Sequence, residues 1–163
     1  MKKQSIEWKE LLSKEEELSS LRYNYFKLDT ELILKDIKVS FKTNDRLPIV
    51  LSILEKMSDQ IKRNLIDELV FTAVNGPASY LGAAKDIILN LDKDWLNMNI
   101  SSSIDKVLNA NIEHDYLDYV YRNIADLLND LHFKSKLIEF ITKYCKHSKD
   151  QDIIEIYTDF SSN

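Results

Sequence analysis

Glycine and proline are scarce in this chain of 163 residues, which has only Gly76, Gly82, Pro48 and Pro77. A chain of this length with average composition would have about eleven glycines and eight prolines. Because the many turns of a β-sandwich or barrel depend on these residues, an all-β fold is excluded. Glycine-rich phosphate-binding loops are excluded too, since they need several glycines within a few positions.

Cysteine and long apolar runs are also scarce. The single cysteine, Cys145, lies in an apolar helical pattern, which predicts a buried thiol in a reducing compartment. Glu7, Lys9 and Glu10 stand where a signal peptide would be apolar, and no run reaches the 18 or so apolar residues of a membrane span. We therefore expect a cytoplasmic protein, with no membrane partner and a single domain over 1–163.

The net charge of −5 is unevenly distributed. Residues 1–81 carry 13 basic and 13 acidic side chains, whereas residues 82–163 carry 9 basic and 14 acidic ones. Nine of these acids lie between Asp86 and Asp130, against three bases. A surface of that sign repels phosphate backbones, so a nucleic-acid partner is not expected there.

Helical patterns dominate from Asp45 onward. Each segment has one apolar stripe at helical spacing. The Asn75-Gly76-Pro77 sequence ends one helix and starts the next. A short helix with one stripe cannot bury it alone, so we predict an all-α protein of stacked antiparallel hairpins or, alternatively, a closed bundle. The predicted segments are 47–57, 61–73, 80–91, 100–108, 112–131, 133–145 and 153–160, with 92–95 as a polar linker.

The N-terminal part, residues 1–44, is less regular. The spacing of Ser13 and Glu16 is that of a capping box and predicts a helix start there, with Leu18, Leu21, Tyr25 and Leu28 on one face of the helix. Residues 32–42 fit both a helix and an alternating strand, so we predict a helix, with a small irregular or hairpin element within 30–44 as the alternative. A second capping box is predicted at 148–151.

The stretch from Leu47 to Arg63 resembles a HEAT-repeat hairpin. Pro48 lies in its first helix, Asp59 in its turn, and a β-branched residue followed by a base opens its second helix. A similar pattern returns over 137–155, where Asp150 follows Asp59 by 91 residues, close to two HEAT periods of about 45. The resemblance implies a HEAT-like α-solenoid over 45–160, although 77–111 does not divide into one hairpin.

The run 119–128, the lysine-rich helix after it and the ending 150–160 are similar to small bacterial helical-repeat proteins encoded beside polymorphic toxins. Those proteins are regarded as immunity proteins, which neutralise a cognate toxin by direct contact. The resemblance implies a protein-binding function without catalysis or cofactor. It carries over no functional residue.

A column of polar side chains four residues apart is the strongest candidate for chemistry. It lies opposite the apolar stripe of the predicted 112–131 helix. A histidine and carboxylates at this spacing could bind a metal, but Arg122 stands in the middle, so we predict a solvated face in which Arg122 pairs with Asp118 and Asp126. The column consists of His114, Asp118, Arg122, Asp126 and Asp130.

The function that these observations favour is binding of a basic protein, such as a toxin domain, by an acidic surface with aromatic anchors. A general adaptor with no toxin partner is the alternative. A metal-dependent helical hydrolase is a third class, which would need carboxylates and histidines facing into the stack. The predicted partner-binding residues are Asp92, Asp94, Trp95, Asp115, Asp118, Tyr119, Arg122 and Asp126.

Overall fold

The structure is a computed structural model that describes residues 4–161, and every regular element in this range is helical. Two 3-10 turns, Asn44–Arg46 and His114–Tyr116, precede the third and eighth α-helices. The α-helices are α1 (Ile6–Tyr25), α2 (Thr30–Phe41), α3 (Leu47–Leu54), α4 (Asp59–Asn64), α5 (Ile66–Asn75), α6 (Ala78–Leu89), α7 (Lys93–Leu108), α8 (Leu117–Asp130), α9 (Lys134–Tyr144) and α10 (Gln151–Ser161).

Helix α1 differs from the prediction at its start. It begins after Ser5, whose Oγ accepts a hydrogen bond from the Trp8 N–H, and the helix continues through Ser13 because no glycine or proline interrupts it. None of its side chains is buried, and Leu18 and Leu21 are 40% and 61% exposed. The predicted helix start at Ser13 was therefore wrong.

Helix α2 settles the ambiguity of residues 32–42. Ile33 and Ile37, four residues apart, are buried, whereas Val39 is 53% exposed. Burial thus follows the helical period and not the alternation of a strand. The prediction of a helix is confirmed, and the hairpin alternative was wrong.

Helices α3 to α6 follow the predicted pattern with one break. The stripe expected over 61–73 is divided at Leu65, where α4 ends and α5 begins. Pro48 lies in the first turn of α3, where its missing N–H leaves no bond unmade. Gly76 ends α5 in an extended conformation with φ −75° and ψ 175°, which is what a residue before proline prefers.

Helix α7 shows why residues 77–111 did not divide into one hairpin. It begins at Lys93, directly after Asp92, whose carboxylate accepts the Trp95 N–H at 2.8 Å. The segment predicted as a linker is therefore a cap and a first helical turn. Residues 109–116 then form a loop and a 3-10 turn, so the predicted 112–131 helix begins only at Leu117.

The last two helices also end and begin with specific caps. His132, at φ 59°, is the left-handed residue that ends α8, and the Phe133 N–H bonds back to the Leu128 carbonyl at 3.0 Å. Asp150, rather than Ser148, caps α10, because its carboxylate accepts the Asp152 N–H at 2.9 Å. The predicted capping box at 148–151 was wrong in its capping residue.

Helix α5 is the centre of the packing, since it contacts α6, α7 and α8. On one side α6 packs on α3, which contacts α2, and on the other α8 packs on α9 and α10. One apolar cluster connects Ile33 of α2 with Ile156 of α10. In the described range, no helix is both long enough and apolar enough to cross a bilayer.

Candidate protein-binding groove

The predicted partner-binding residues form two separate groups. Asp92, Asp94 and Trp95 lie at the beginning of α7, and the others follow the end of α7. The 16 residues of α7 span about 24 Å, so the two groups cannot form one compact site. The second group consists of Asp115, Asp118, Tyr119, Arg122 and Asp126.

The group at the beginning of α7 has local structural roles. Asp92 is the N-cap, and Asp94 lies in the first turn, where a negative charge is favourable. Trp95 is half-buried, and the Arg63 guanidinium lies 5.2 Å from the centre of its ring. Trp95 is therefore in contact with Arg63 of the same chain.

A groove lies where α5 ends and α8 begins. Its cavity volume is about 840 Å³. Four aromatic side chains line it, and two of these, Phe71 and Tyr116, are 42% and 57% exposed. The groove is lined by Phe41, Asn44, Leu47, Phe71, Thr72, Asn75, Gly76, Pro77, Ala78, Asn111, Ile112, Glu113, Asp115, Tyr116, Asp118 and Tyr119.

The charge of this groove is of one sign. Glu113, Asp115 and Asp118 contribute three carboxylates, and none of the described lining residues is basic. Helix α5 ends here at Asn75, whereas α6 and α8 begin here, so helix ends of both signs meet at the groove and its negative potential comes from the carboxylates. The groove therefore combines apolar contact area with a negative potential, which suits a cationic ligand that also has apolar parts.

Two hydrogen bonds hold α8 against the end of α5. The Tyr119 hydroxyl donates to the Gly76 carbonyl at 3.3 Å, and the Asn123 side-chain amide donates to the Val74 carbonyl at 3.1 Å. Tyr119 thus lines the groove and also connects its two walls. Asn123 was not predicted, because nothing in its local sequence indicates a partner 49 residues earlier.

Further along α8 the acidic column is neutralised by other helices. Arg122 pairs with Asp159 of α10 at 2.9 Å, so its predicted pairing with Asp118 and Asp126 was wrong. Lys85 of α6 pairs with Asp130 at 2.8 Å. Burial raises the pKa of the Asp126 carboxyl, an effect that Lys85 and Arg122 only partly offset. The free negative charge is therefore concentrated at the start of α8.

Metal chemistry and a reactive cysteine find no structural support. His114 lies in the 3-10 turn before α8 and so is not part of the column. In the range 4–161, no three histidine, cysteine or carboxylate side chains are placed to hold a metal ion. Cys145 is buried, as predicted, and burial raises the pKa of its thiol to about 11, which keeps it protonated.

A second cavity, of about 500 Å³, adjoins the groove and shares Phe41, Phe71 and Thr72 with it. Its charged residues are mostly paired. Lys38 lies 3.8 Å from Glu68, and Lys106 binds Asp67, which also accepts the Ser103 hydroxyl at 2.7 Å. Burial opposes ionisation of Asp67, but these hydrogen bonds outweigh it and lower the pKa of the carboxyl.

Comparison with protein-family models, curated proteins and solved structures finds no match to this chain. The geometry and charge of the groove are therefore the basis for assigning a function.

Proposed function

We propose that this chain is a protein-binding module that engages a basic partner through the groove between α5 and α8. The observation that carries the proposal is the lining of this groove, where Glu113, Asp115 and Asp118 accompany exposed Phe71 and Tyr116, without a basic residue among the described side chains. Exposed aromatic rings provide contact area, and carboxylates attract a cationic surface during encounter.

The acidic groove narrows the partner-binding surface that the sequence indicated. Asp115, Asp118 and Tyr119 line the groove, whereas Arg122 and Asp126 lie outside it, further along α8. Arg122 forms an ion pair with Asp159, and Asp126 lies near the cations Lys85 and Arg122. Asp92, Asp94 and Trp95 are at the other end of α7. We therefore assign binding to Asp115, Asp118 and Tyr119. The other lining residues Glu113, Phe71 and Tyr116 complete the assigned site.

The partner that we propose is a bacterial toxin domain, so that the chain acts as an immunity protein that blocks its toxin by contact. This part rests on the resemblance of 119–128 and 150–160 to immunity proteins. A general adaptor that uses the same groove without a toxin partner is the second candidate. Both functions are non-enzymatic, and both place the chain in the cytoplasm.

We further propose that the helices form a HEAT-like stack. Helices adjacent in sequence pack together at α2 and α3, at α5 and α6, and from α8 to α10, as in successive hairpins. The contacts of α5 with both α7 and α8 are a departure from a regular repeat. They place the end of α5 beside the start of α8, which creates the groove.

The direct test of the toxin partner is coexpression with the product of the adjacent open reading frame. We expect a complex that survives purification at low salt, and relief of the growth arrest that the toxin domain causes alone. Absence of a complex at low salt would refute the immunity function. A complex formed without any toxic activity of the partner would favour the adaptor.

The groove itself is tested by charge reversal. Asp115→Lys combined with Asp118→Lys should slow association by about tenfold or more at low salt, with a smaller difference at high salt because exposed charges are screened. The matched control, Glu139→Lys with Glu155→Lys, makes the same change in net charge at exposed positions of α9 and α10. Equal slowing by both variants would mean that net charge, and not the groove, steers the partner.

A further inference from the structure

One face of α5 runs along the floor of both cavities. Asp67, Phe71 and Asn75 are spaced four residues apart, and Glu68 and Thr72 follow the first two by one position, so these five side chains project from the same side of the helix, which Gly76 caps. From Asp67 to Gly76 the helix rises about 14 Å. The two cavities share Phe41, Phe71 and Thr72 and so adjoin along this face, and we call the pair of them the channel.

The two ends of this channel differ in charge. At the end near α8, the described lining residues include three carboxylates and no base. The other end is lined by Lys38, Lys42 and Lys106 against Asp67 and Glu68, and each of these two acids lies beside one lysine. Exposed Lys42 is therefore the cation in excess. Between the ends, Phe41 and Phe71, which line both cavities, present apolar surface.

We propose that the channel binds an extended segment of the partner, four to five residues long, with a basic side chain at one end, apolar side chains in the middle and an acidic side chain at the other end. This inference rests on the proposed function and adds to it the chemistry and length of the bound segment. About 14 Å corresponds to four residues of extended chain at about 3.3 Å each.

Charge complementarity decides the arrangement of that segment. Its basic side chain meets Glu113, Asp115 and Asp118 and can lie over the exposed Tyr116 ring. Its apolar side chains cover Phe71, and its acid meets Lys42. A segment with bases at both ends would place a cation against Lys42. The channel therefore disfavours such a segment and favours a bipolar one, which has a base at one end and an acid at the other.

Three capped hexapeptides without terminal charges test this proposal. The bipolar peptide has two lysines, leucine, phenylalanine and two glutamates, in that order. The mixed peptide has the same composition but alternating charges around the same apolar pair, and the basic peptide has lysines in place of the glutamates. Titration into the isotopically labelled full-length protein, followed by amide chemical shifts, measures even weak dissociation constants.

We expect the bipolar peptide to bind about threefold to tenfold more tightly than the mixed one, with shifts at Phe71 and Tyr116. Lys42→Glu should weaken the bipolar peptide about fivefold and strengthen the basic one, whereas Lys56→Glu, an exposed charge change outside both cavities, should alter neither. Phe71→Ala should weaken the binding of the bipolar and the basic peptide to the same degree.

The results separate this proposal from the proposed function. If the basic peptide binds as tightly as the bipolar one, and Asp115→Lys weakens both equally, the acidic groove remains a binding site but the bipolar channel is refuted. If no peptide shifts an amide of the groove, both proposals are contradicted. If Lys42→Glu leaves the order of the peptides unchanged, the assignment of the acidic side chain to Lys42 is wrong.

Discussion

Replacing Gly76 by alanine should destabilise the protein although alanine is small. An added Cβ at this position would lie 2.4 Å from the Thr72 carbonyl oxygen and 3.1 Å from the Thr72 carbonyl carbon. Both atoms belong to the backbone of α5, so no side-chain rotation can relieve the contact. Pro77 restricts residue 76 to extended conformations, which removes the alternative of a local backbone rearrangement.

The expected cost is that of forcing an extra methyl group into a packed site, about 1–3 kcal/mol. For a chain of this length that corresponds to a Tm lower by about 3–9 °C. Displacement of the Gly76 backbone should also alter the groove. The Gly76 carbonyl accepts a hydrogen bond from the Tyr119 hydroxyl at 3.3 Å, and the Gly76 N–H donates to the Thr72 carbonyl at 3.1 Å. A partner of the groove should therefore bind Gly76→Ala less tightly.

The second glycine provides a matched control. Gly82 lies in the middle of α6, exposed to solvent, and a Cβ there would meet no atom within 4 Å. Gly82→Ala should raise stability by about 0.5–1 kcal/mol, since alanine favours the helix. Because Pro77 already restricts residue 76 in the unfolded chain, Gly76→Ala gains no more from the unfolded state than Gly82→Ala does, so a loss of stability at residue 76 reports the folded state.

Thermal and urea denaturation of the two variants measure that difference. We expect Gly76→Ala to unfold below the wild-type Tm and Gly82→Ala above it. Equal stabilisation by both substitutions would refute the predicted contact with Thr72 and, with it, the geometry of the turn that shapes the groove.

Four further changes have expected outcomes. Asp67→Asn should lower the Tm at pH 7, and because the pKa of Asp67 is lowered in the folded state, the difference should fade as the pH falls below 3.8. Asp126→Asn should instead raise the Tm at pH 7, since burial raises the pKa of this carboxyl, and the gain should vanish as acid protonates it. Opposite results in a pH series of melting curves would contradict these directions. His132→Gly should stabilise the protein by about 0.5–1 kcal/mol, because the residue is left-handed at φ 59°, and an unchanged urea midpoint would count against this. Removal of residues 1–20 should change the Tm by less than about 2 °C, since no side chain of α1 is buried, and a larger loss would show that α1 supports the core.

Local signals in the sequence were enough to find most helices. The apolar stripes of α3, α5, α6, α8 and α9 and the stop at Gly76 and Pro77 act over neighbouring residues, and the structure follows them. The failures lie where two local signals compete. Ser5 and Ser13 both precede helical sequence, and the earlier one became the cap because nothing between them interrupts the helix.

The candidate groove could be predicted only in part. Asp115, Asp118 and Tyr119 stand out in the acidic run, but Phe41 and Phe71 lie in earlier helices and carry no local mark of exposure. Phe71 belongs to α5, and it is 42% exposed although the nearby Val70 and Ala73 of the same helix are buried. Sequence periodicity indicates a helix face, whereas exposure depends on which helices cover that face.

The same reasoning explains why the acidic run from 86 to 130 is not one acidic surface. Charge counted along the chain ignores cations that the fold brings from outside the run. Lys85 of α6 forms an ion pair with Asp130 of α8. Arg122, which we predicted to pair with Asp118 and Asp126, instead forms an ion pair with Asp159 of α10. Among the described residues, Glu113, Asp115 and Asp118 remain together without a base beside them in the groove, where α5 ends and α8 begins. The carboxylates would therefore attract a basic partner to the place where Phe71 and Tyr116 are exposed. The initial encounter and the apolar contacts of the final complex would then use the same site.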